Sequence, residues 1–493
     1  VQAWKKAFLS GALGVVLTGH PARAQLGPNG APITTGDYAI DTYQGPVLAS
    51  PRVTGMSGAY VAVSEFVEGN TQNPAAPAVR PDYSYDHLDY DIGVGVTFPG
   101  TITGTDFFNT GKSHTSLPST AQDGFVFFEL SGNLQLGPWG IGAASSVQQY
   151  GLESSVGSSD RLRTTLGVYN LQVARAFYEG QLVLGVGARL GSMSVFNTNT
   201  RQSTAGSILQ SFGISPELGL LYRPNGENYR FGASFRAPLD SGVGNDASLD
   251  NVLYPDSATP LYLPSRVSTP WQLGLGVAYR SGRTFNPEWL DPSALTRPLR
   301  ETHAVRAGKR NALREQEIRN TRGSLTERRI RLAALDARLA DEAARDEAEL
   351  MRVERETRLR LKERFAALTR RYLLVSAAFF VDGAVSNAVG IESFFERVVN
   401  RSGESATVSP RLGIESEVIP YWVILRAGTY LEPTRFSAND AGARLHATVG
   451  ADLRLGNWNV WGAWPDSYVW RLRTSVDTSR DYFNWGLGIG GFY

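Results

Sequence analysis

"DYFNWGLGIGGFY", Asp481 to Tyr493, ends the chain and alternates without a slip. Phe483, Trp485, Leu487, Ile489 and Tyr493 fall on one side, and Asn484, Gly486, Gly488 and Gly490 on the other. A period of two is what a β-strand shows when its faces meet different environments. The same division runs through "TPWQLGLGVAYR", where Trp271, Leu273, Leu275, Val277 and Tyr279 oppose Gln272, Gly274, Gly276, Ala278 and Arg280. In "RLHATVGADLRL", Leu445, Ala447, Val449, Ala451 and Leu453 oppose Arg444, His446, Thr448, Gly450, Asp452 and Arg454. One face is greasy and often ends in aromatics; the other is polar or small. A soluble β-sandwich also alternates. Strands of about ten residues or more with aromatics near their ends instead match an outward apolar band between two interfacial girdles. In lipid, a closed barrel is the only β solution that pairs every backbone group.

Counting alternating runs from Asp82 gives about fourteen strands whose connections are short and long in turn. The short ones include "GPWG" (Gly137 to Gly140), "YEGQ" (Tyr178 to Gln181), "RPNGEN" (Arg223 to Asn228), "IPYW" (Ile419 to Trp422) and "LGNW" (Leu455 to Trp458). Longer ones fall near Gly100 to Asp123, Gly151 to Arg161, Asn197 to Gln210, Pro238 to Ser268 and Glu392 to Ser409. This predicts an all-β, about 14-stranded antiparallel outer-membrane barrel with periplasmic turns and extracellular loops. Strand parity counted back from the C-terminus puts the connection between Tyr279 and Leu373 in the periplasm.

Composition narrows the chemistry. The 493 residues include no cysteine and five histidines, which excludes disulfides and thiolate metal sites and leaves little material for a zinc or histidine-based enzyme. "GVGARLG" (Gly185 to Gly191) and "GLGIGG" (Gly486 to Gly491) superficially resemble nucleotide loops, but neither opens a helix after a strand. No G-x-S-x-G or H-E-x-x-H is present. No catalytic residue, metal, cofactor or nucleic-acid partner is expected. At the N-terminus, Lys5 and Lys6 precede an apolar run from Ala7 to Leu17 and then "PARAQ". That is the pattern of a secretory signal over residues 1–24. As a membrane anchor the run is well short of the ~20 residues that a spanning helix needs.

Arg297 to Arg371 breaks the strand pattern. It holds 21 of the chain's 48 basic residues but only 13 of its 47 acidic ones, so it is about +8 while the remainder is about −7. "SLTE" (Ser324 to Glu327) has the form of a capping box, and Leu332, Leu335, Leu339, Leu361, Phe365 and Leu368 recur at spacings of three and four. A helix from Ser324 to about Tyr372 would be roughly 70 Å long. Pro298 to Asn320 forms a shorter helical candidate, with "NTRGS" (Asn320 to Ser324) as the turn between the two. The reading is a helical hairpin or coiled coil within an insert spanning 281–371; a solvated, charged linker is the alternative. Its excess charge suits an anionic partner, either cell-wall peptidoglycan or a periplasmic protein surface.

"GMSGAYVAVSEFVEGNTQNPAA", Gly55 to Ala76, resembles the N-terminal signature G-x-G-G-A-Y-x-A-x-A-D-D … N-P-A of the FadL family of long-chain fatty acid and hydrophobic-compound transporters, and more loosely that of PorV-type barrels. The match lies at Gly55, Gly58, Ala59, Tyr60, Val61, Ala62, Asn73, Pro74 and Ala75; it departs at Ser64, Glu65 and Phe66, and at Ala76-Pro77. "ELGLLYRPNGENYRFGASFRAP" (Glu217 to Pro238) and "LPSRVSTPWQLGLGVAYR" (Leu263 to Arg280) are similar to that family's mid-barrel strands. The resemblance implies that residues 25–81 fold into a barrel formed by 82–493 as a plug, or hatch. Gly55, Gly58, Ala59, Tyr60, Asn73, Pro74 and Ala75 would then serve as plug and gate residues. A periplasmic leader to the first strand is the other reading of this stretch.

Arg189, Arg230, Arg236, Arg280, Arg444 and Arg454 fall opposite the apolar faces of their strands and so point inward, where guanidinium groups pair with carboxylates. They serve either as lumenal salt-bridge partners of Asp452 and plug carboxylates or as guides for an amphipathic anion. Two functions remain open. The first is passive uptake of hydrophobic or amphipathic small molecules such as fatty acids, with outer-membrane lipid as the surroundings. The second is a structural barrel that anchors a periplasmic helical rod engaging an envelope or secretion machine.

Overall fold

The computed structural model describes residues 26–80, 84, 86–100, 105–111, 121–153, 161–197, 207–243, 252–253, 260–436, 441–458 and 469–492. The signal-like residues 1–24 and Tyr493 lie outside that set. Fourteen strands build the wall: β1 (Leu88–Pro99), β2 (Ala121–Leu136), β3 (Trp139–Glu153), β4 (Arg161–Phe177), β5 (Leu182–Asn197), β6 (Ser207–Tyr222), β7 (Tyr229–Arg236), β8 (Gln272–Ser281), β9 (Leu373–Asp382), β10 (Thr407–Ile419), β11 (Val423–Glu432), β12 (Arg444–Gly456), β13 (Val469–Ser479) and β14 (Tyr482–Phe492). Each pairs antiparallel with its sequence neighbours, and β1 pairs with β14, Ile92 opposite Gly491 through Pro99 opposite Asn484, to close the barrel.

The alternation places apolar side chains outside. On β14, Leu487 and Ile489 are exposed while Gly486, Gly488 and Gly490 are buried. Leu130, Leu134, Ile141, Leu171, Val186, Ile214, Leu218, Leu275, Leu412 and Val449 continue this exposed belt around the wall. A belt of that extent is untenable in water and stable in lipid. Trp139, Tyr178, Tyr222, Tyr279, Tyr421, Trp422 and Trp458 are exposed at one end of the barrel, as in an interfacial girdle. No helix among the described residues is long and apolar enough to cross a membrane.

That end carries the tight connections at 137–138, 178–181, 223–228 and 420–422, and is here called the turn end; the opposite one is the loop end. "LGNW" is not a tight turn. β12 ends at Gly456 and β13 starts at Val469, with 459–468 outside the described residues. The ladder slips between Arg454 and Gly456, and Gly456 has φ of 134°. A two-residue connection also stands at the loop end, Arg480-Asp481 between β13 and β14, with Asp481 at φ of 57°.

Residues 26–80 run through the lumen from loop end to turn end. Ala39–Asp41 pairs in parallel with Arg266–Thr269 and Ala388–Gly390, which come from loop-end connections. The chain then forms the short helix α1 (Pro51–Gly55) against β12 and β13, and two 3-10 turns, Val67–Thr71 and Ala76–Ala78. At the turn end, Arg80 donates to the carbonyl of Gly137 between β2 and β3 (3.0 Å).

Between β8 and β9 stands an antiparallel helical pair, α2 (Pro292–Asn320) and α3 (Leu325–Ala366), at the turn end. Asp291 caps α2 by accepting from the Ser293 amide (2.9 Å), with Pro292 at the first position, so α2 starts six residues earlier than Pro298. The capping box forms: Glu327 accepts from the Ser324 amide (3.0 Å), and Ser324 Oγ from the Glu327 amide (3.4 Å). α3 has 42 residues, about 63 Å. It stops short of Tyr372 because Leu373 is already paired with Ser281 and Ser416 in the wall. Arg314 to Asp336 (2.7 Å), Arg310 to Asp346 (2.5 Å) and Arg300 to Glu354 tie the two helices along their length.

Candidate functional site: the filled lumen

Wall glycines let the lumenal segment lie directly on the strands. A Cβ at Gly185 would overlap the Pro74 carbonyl, and one at Gly219 would overlap the Asn73 side chain. Only glycine allows backbone to approach this closely. Asn73 then binds both sides: its Nδ2 donates to the Val61 carbonyl (2.9 Å) in the segment and to the Leu220 carbonyl (3.1 Å) in β6, and its Oδ1 accepts from the Ala75 amide (3.0 Å). Gly58 sits at φ of 70°, the left-handed region. Gly55 accepts at its carbonyl from Thr448 Oγ1 (3.1 Å), Tyr60 donates its hydroxyl to the Glu65 carbonyl (3.1 Å), and Ala59 packs with Ala378 and Phe380. The segment is therefore held by polar contacts and close packing, while the barrel ladder is complete without it.

An alternating chain of charges links segment and wall. Glu65 accepts from Arg280 (2.8 Å) and Arg230 (3.1 Å) of the wall and from Arg52 (3.1 Å) of the segment. Arg52 also donates twice to Glu415 (2.8 and 2.7 Å), which accepts from Arg426 (2.5 Å) and from the Tyr372 hydroxyl (2.8 Å). Arg426 donates to Asp452 (2.9 Å); Arg473, 3.6 Å from Asp452, pairs with Glu68 and so returns the chain to the segment. All of these residues are buried. Buried charges persist only when paired and hydrogen-bonded, so losing one member costs more than one contact.

The six inward arginines divide by environment. Arg230 and Arg280 belong to this chain. Arg236 donates to Gln272 (2.7 Å) and to the Thr71 carbonyl, with Glu217 at 3.5 Å. Arg444 is bound by Glu432 (2.6 Å) and by the carbonyls of Asp106 (2.6 Å) and Phe107 (3.1 Å). Arg454 lies at the rim and donates to Asn457 (2.8 Å). Arg189 differs: among the described residues it has no hydrogen-bond or ion-pair partner, and it faces a lumenal cavity of about 150 Å³. Segment residues Tyr43, Val47 and Leu48 and wall residues Phe127 and Phe380 supply the apolar lining. Arg411 also lines the cavity, its guanidinium 4.2 Å from the Phe380 ring and bound to Ser409 Oγ (3.3 Å). Arg52, Arg411, Glu415, Arg426 and Arg473 are functional candidates that the opening pattern did not single out. Parity could have found the wall members, since Leu412, Ile414 and Leu425 face outward beside them.

Among the described residues, His303, Asp346 and Glu349 on the helical pair could face a metal ion. Arg306 (2.8 Å) and Arg310 (2.5 Å) already bind Asp346, making this an ion-pair knot between α2 and α3. Hydrogen bonds from Arg310 and Arg306 hold the Asp346 carboxyl below its usual range.

The fold and lumen define a transmembrane β-barrel of the bacterial outer-membrane type, with its own N-terminal segment inside it. Neither a family model nor a curated protein matches the chain. Solved structures similar to it include the CymD monoaromatic hydrocarbon channel (10% identity, 90% of this chain and 96% of that one, TM-score 0.45). A TodX monoaromatic hydrocarbon channel mutant gives 12% identity, 90% and 98% coverage and a TM-score of 0.45. A Pseudomonas aeruginosa FadL homologue gives 11%, 95% and 98%, and 0.41. The fold assignment rests on the closed ladder and its apolar belt, not on these likenesses.

Proposed function

We propose that the protein is a passive channel for hydrophobic or amphipathic small molecules, fatty acids among them, across the outer membrane. In this reading the turn end faces the periplasm, and Gly55, Gly58, Ala59, Tyr60, Asn73, Pro74 and Ala75 belong to the plug that gates the lumen. The observation that carries it is the cavity that Arg189, with no hydrogen-bond or ion-pair partner among the described residues, lines together with Phe127, Phe380 and Val47. The rest of the lining is mostly polar, with Gln148, Asn170, Arg236, Gln272 and Asp382 beside those apolar side chains, and the Arg189 guanidinium can offer a carboxylate two parallel hydrogen bonds. Uptake of a carboxylate-bearing amphiphile and of a neutral hydrocarbon, compared in Arg189→Glu, tests it. The expected result is a loss of about tenfold for the carboxylate and little change for the hydrocarbon; equal effects would contradict a ligand role for Arg189.

The basic helical pair supports a second reading, an anchor for a periplasmic rod that engages an envelope machine. Replacing 297–366 by a short linker separates the two. Uptake that survives in a folded barrel favours the channel, and its loss favours the anchor.

A further inference from the structure

The stretch joining β8 to α2, residues 283–291, does more than connect them. Phe285 is fully buried and packs in one cluster with Val53, Tyr60 and Val63 of the lumenal segment. The guanidinium carbons of Arg230 and Arg280 lie 3.7 and 4.3 Å from its ring centre, and these two arginines hold Glu65. The Phe285 carbonyl accepts from Arg230 Nη2 (2.7 Å), and Asn286 Oδ1 accepts from Arg230 Nε (2.7 Å). Asn286 is further fixed to the turn between β6 and β7, donating to the carbonyls of Glu227 (3.0 Å) and Tyr229 (2.8 Å). Trp289 stacks on Arg80, with 4.4 Å from guanidinium carbon to ring centre, where the segment leaves the lumen. The helical pair is also tied there, through Asp291 to His87 (3.2 Å) and Arg358 to Asp86 (2.8 Å).

We infer that residues 283–291 form a second closure of the lumen at its turn end, seated on the plug by Phe285 and Trp289, with the α2/α3 pair as its handle. This goes beyond the channel reading, because it places a gate outside the plug and couples that gate to a rod extending away from the barrel. The coupling is physical: the arginines that grip Glu65 are the same ones that grip Phe285 and Asn286. Withdrawing the 283–291 stretch removes a ring and two acceptors from Arg230 and opens the plug's ion network to water. Whatever pulls or tilts the rod acts on that network.

Accessibility in the full-length chain tests the inference without reference to any transported solute. Val63→Cys places one thiol in the buried cluster of a cysteine-free protein. A membrane-impermeant thiol reagent is added from the turn-end side, with heat-modifiable gel mobility as the check on the barrel. Adding Phe285→Ala should raise the labelling rate at least tenfold from that side and leave the loop-end rate unchanged; Phe285→Leu should raise it little. An unchanged turn-end rate in a heat-modifiable Phe285→Ala barrel overturns the inference. Hydrogen exchange of the unaltered protein gives a second reading should that variant fail to fold. Residues 283–291 should exchange together, ahead of β7 and β8; exchange as slow as those strands would make the stretch a fixed part of the wall and equally overturn it.

Discussion

Glu65 and Arg280 meet at 2.8 Å with both side chains buried, one supplied by the segment inside the barrel and the other by its wall. The contact joins two parts of the chain 215 residues apart. Its energetic weight lies in what its loss leaves behind. Glu65→Ala strands Arg230 and Arg280 without their carboxylate, and breaking a buried pair from one side costs about 3–5 kcal/mol. The expected outcome is a segment newly sensitive to protease in a barrel that keeps its heat-modifiable mobility. A double-mutant cycle with Arg280→Ala should recover part of the loss.

Gly219 tests the close approach of segment and wall. Gly219→Ala puts a methyl where Asn73 lies, and overpacking of this kind costs about 1–3 kcal/mol. At Gly219 the wall faces the segment and not a neighbouring strand's side chain, so the displacement should appear as raised ion conductance rather than as loss of the barrel. Conductance equal to the parent's would show that the segment has room to adjust.

The side on which the rod stands can be measured directly. Ala343 lies within α3, and Ala343→Cys gives a single thiol for a membrane-impermeant maleimide. With the turn end in the periplasm, intact cells should not label, and cells with a permeabilised outer membrane should. Labelling of intact cells would reverse the orientation.

Acid should loosen the rod before the barrel. The Asp346 carboxyl is held below its usual range by hydrogen bonds from Arg310 and Arg306. A carboxyl with a lowered folded pKa contributes stability above its unfolded value, about 3.9, and loses it as pH falls through the folded value. The helical circular dichroism of the full chain should therefore decrease below about pH 4, while strand signal persists. Asp346→Asn should remove that part of the pH dependence.

The wall is legible in the sequence because lipid on one side and a packed lumen on the other enforce period two on every strand, as in Leu273 to Arg280. Turn chemistry is legible where a tight connection has its own residues, as at Gly137 and Gly226, both at positive φ. It misleads at "LGNW", whose Gly456 accommodates a bulge rather than a hairpin turn. The capping box at Ser324 is local and readable; the end of α3 is set by where Leu373 joins the ladder, which no helical periodicity reports. The charge network is readable only in part. Strand parity turns Arg230, Arg280 and Arg426 inward, but Glu65 and Arg52 find them through the path of a segment that has no period. Phe285 carries no signal at all, because its burial depends on the shape of the mouth it enters.

The barrel ladder is complete without the N-terminal segment, and we propose that this segment closes the lumen. Single-channel conductance of the full-length protein, compared with a chain lacking Gly55 to Ala76, tests this most directly. The shortened chain should still fold, since the segment lends the wall no ladder bonds, and should conduct at least tenfold more than the parent. A folded, heat-modifiable barrel whose conductance is unchanged by the deletion would contradict the account.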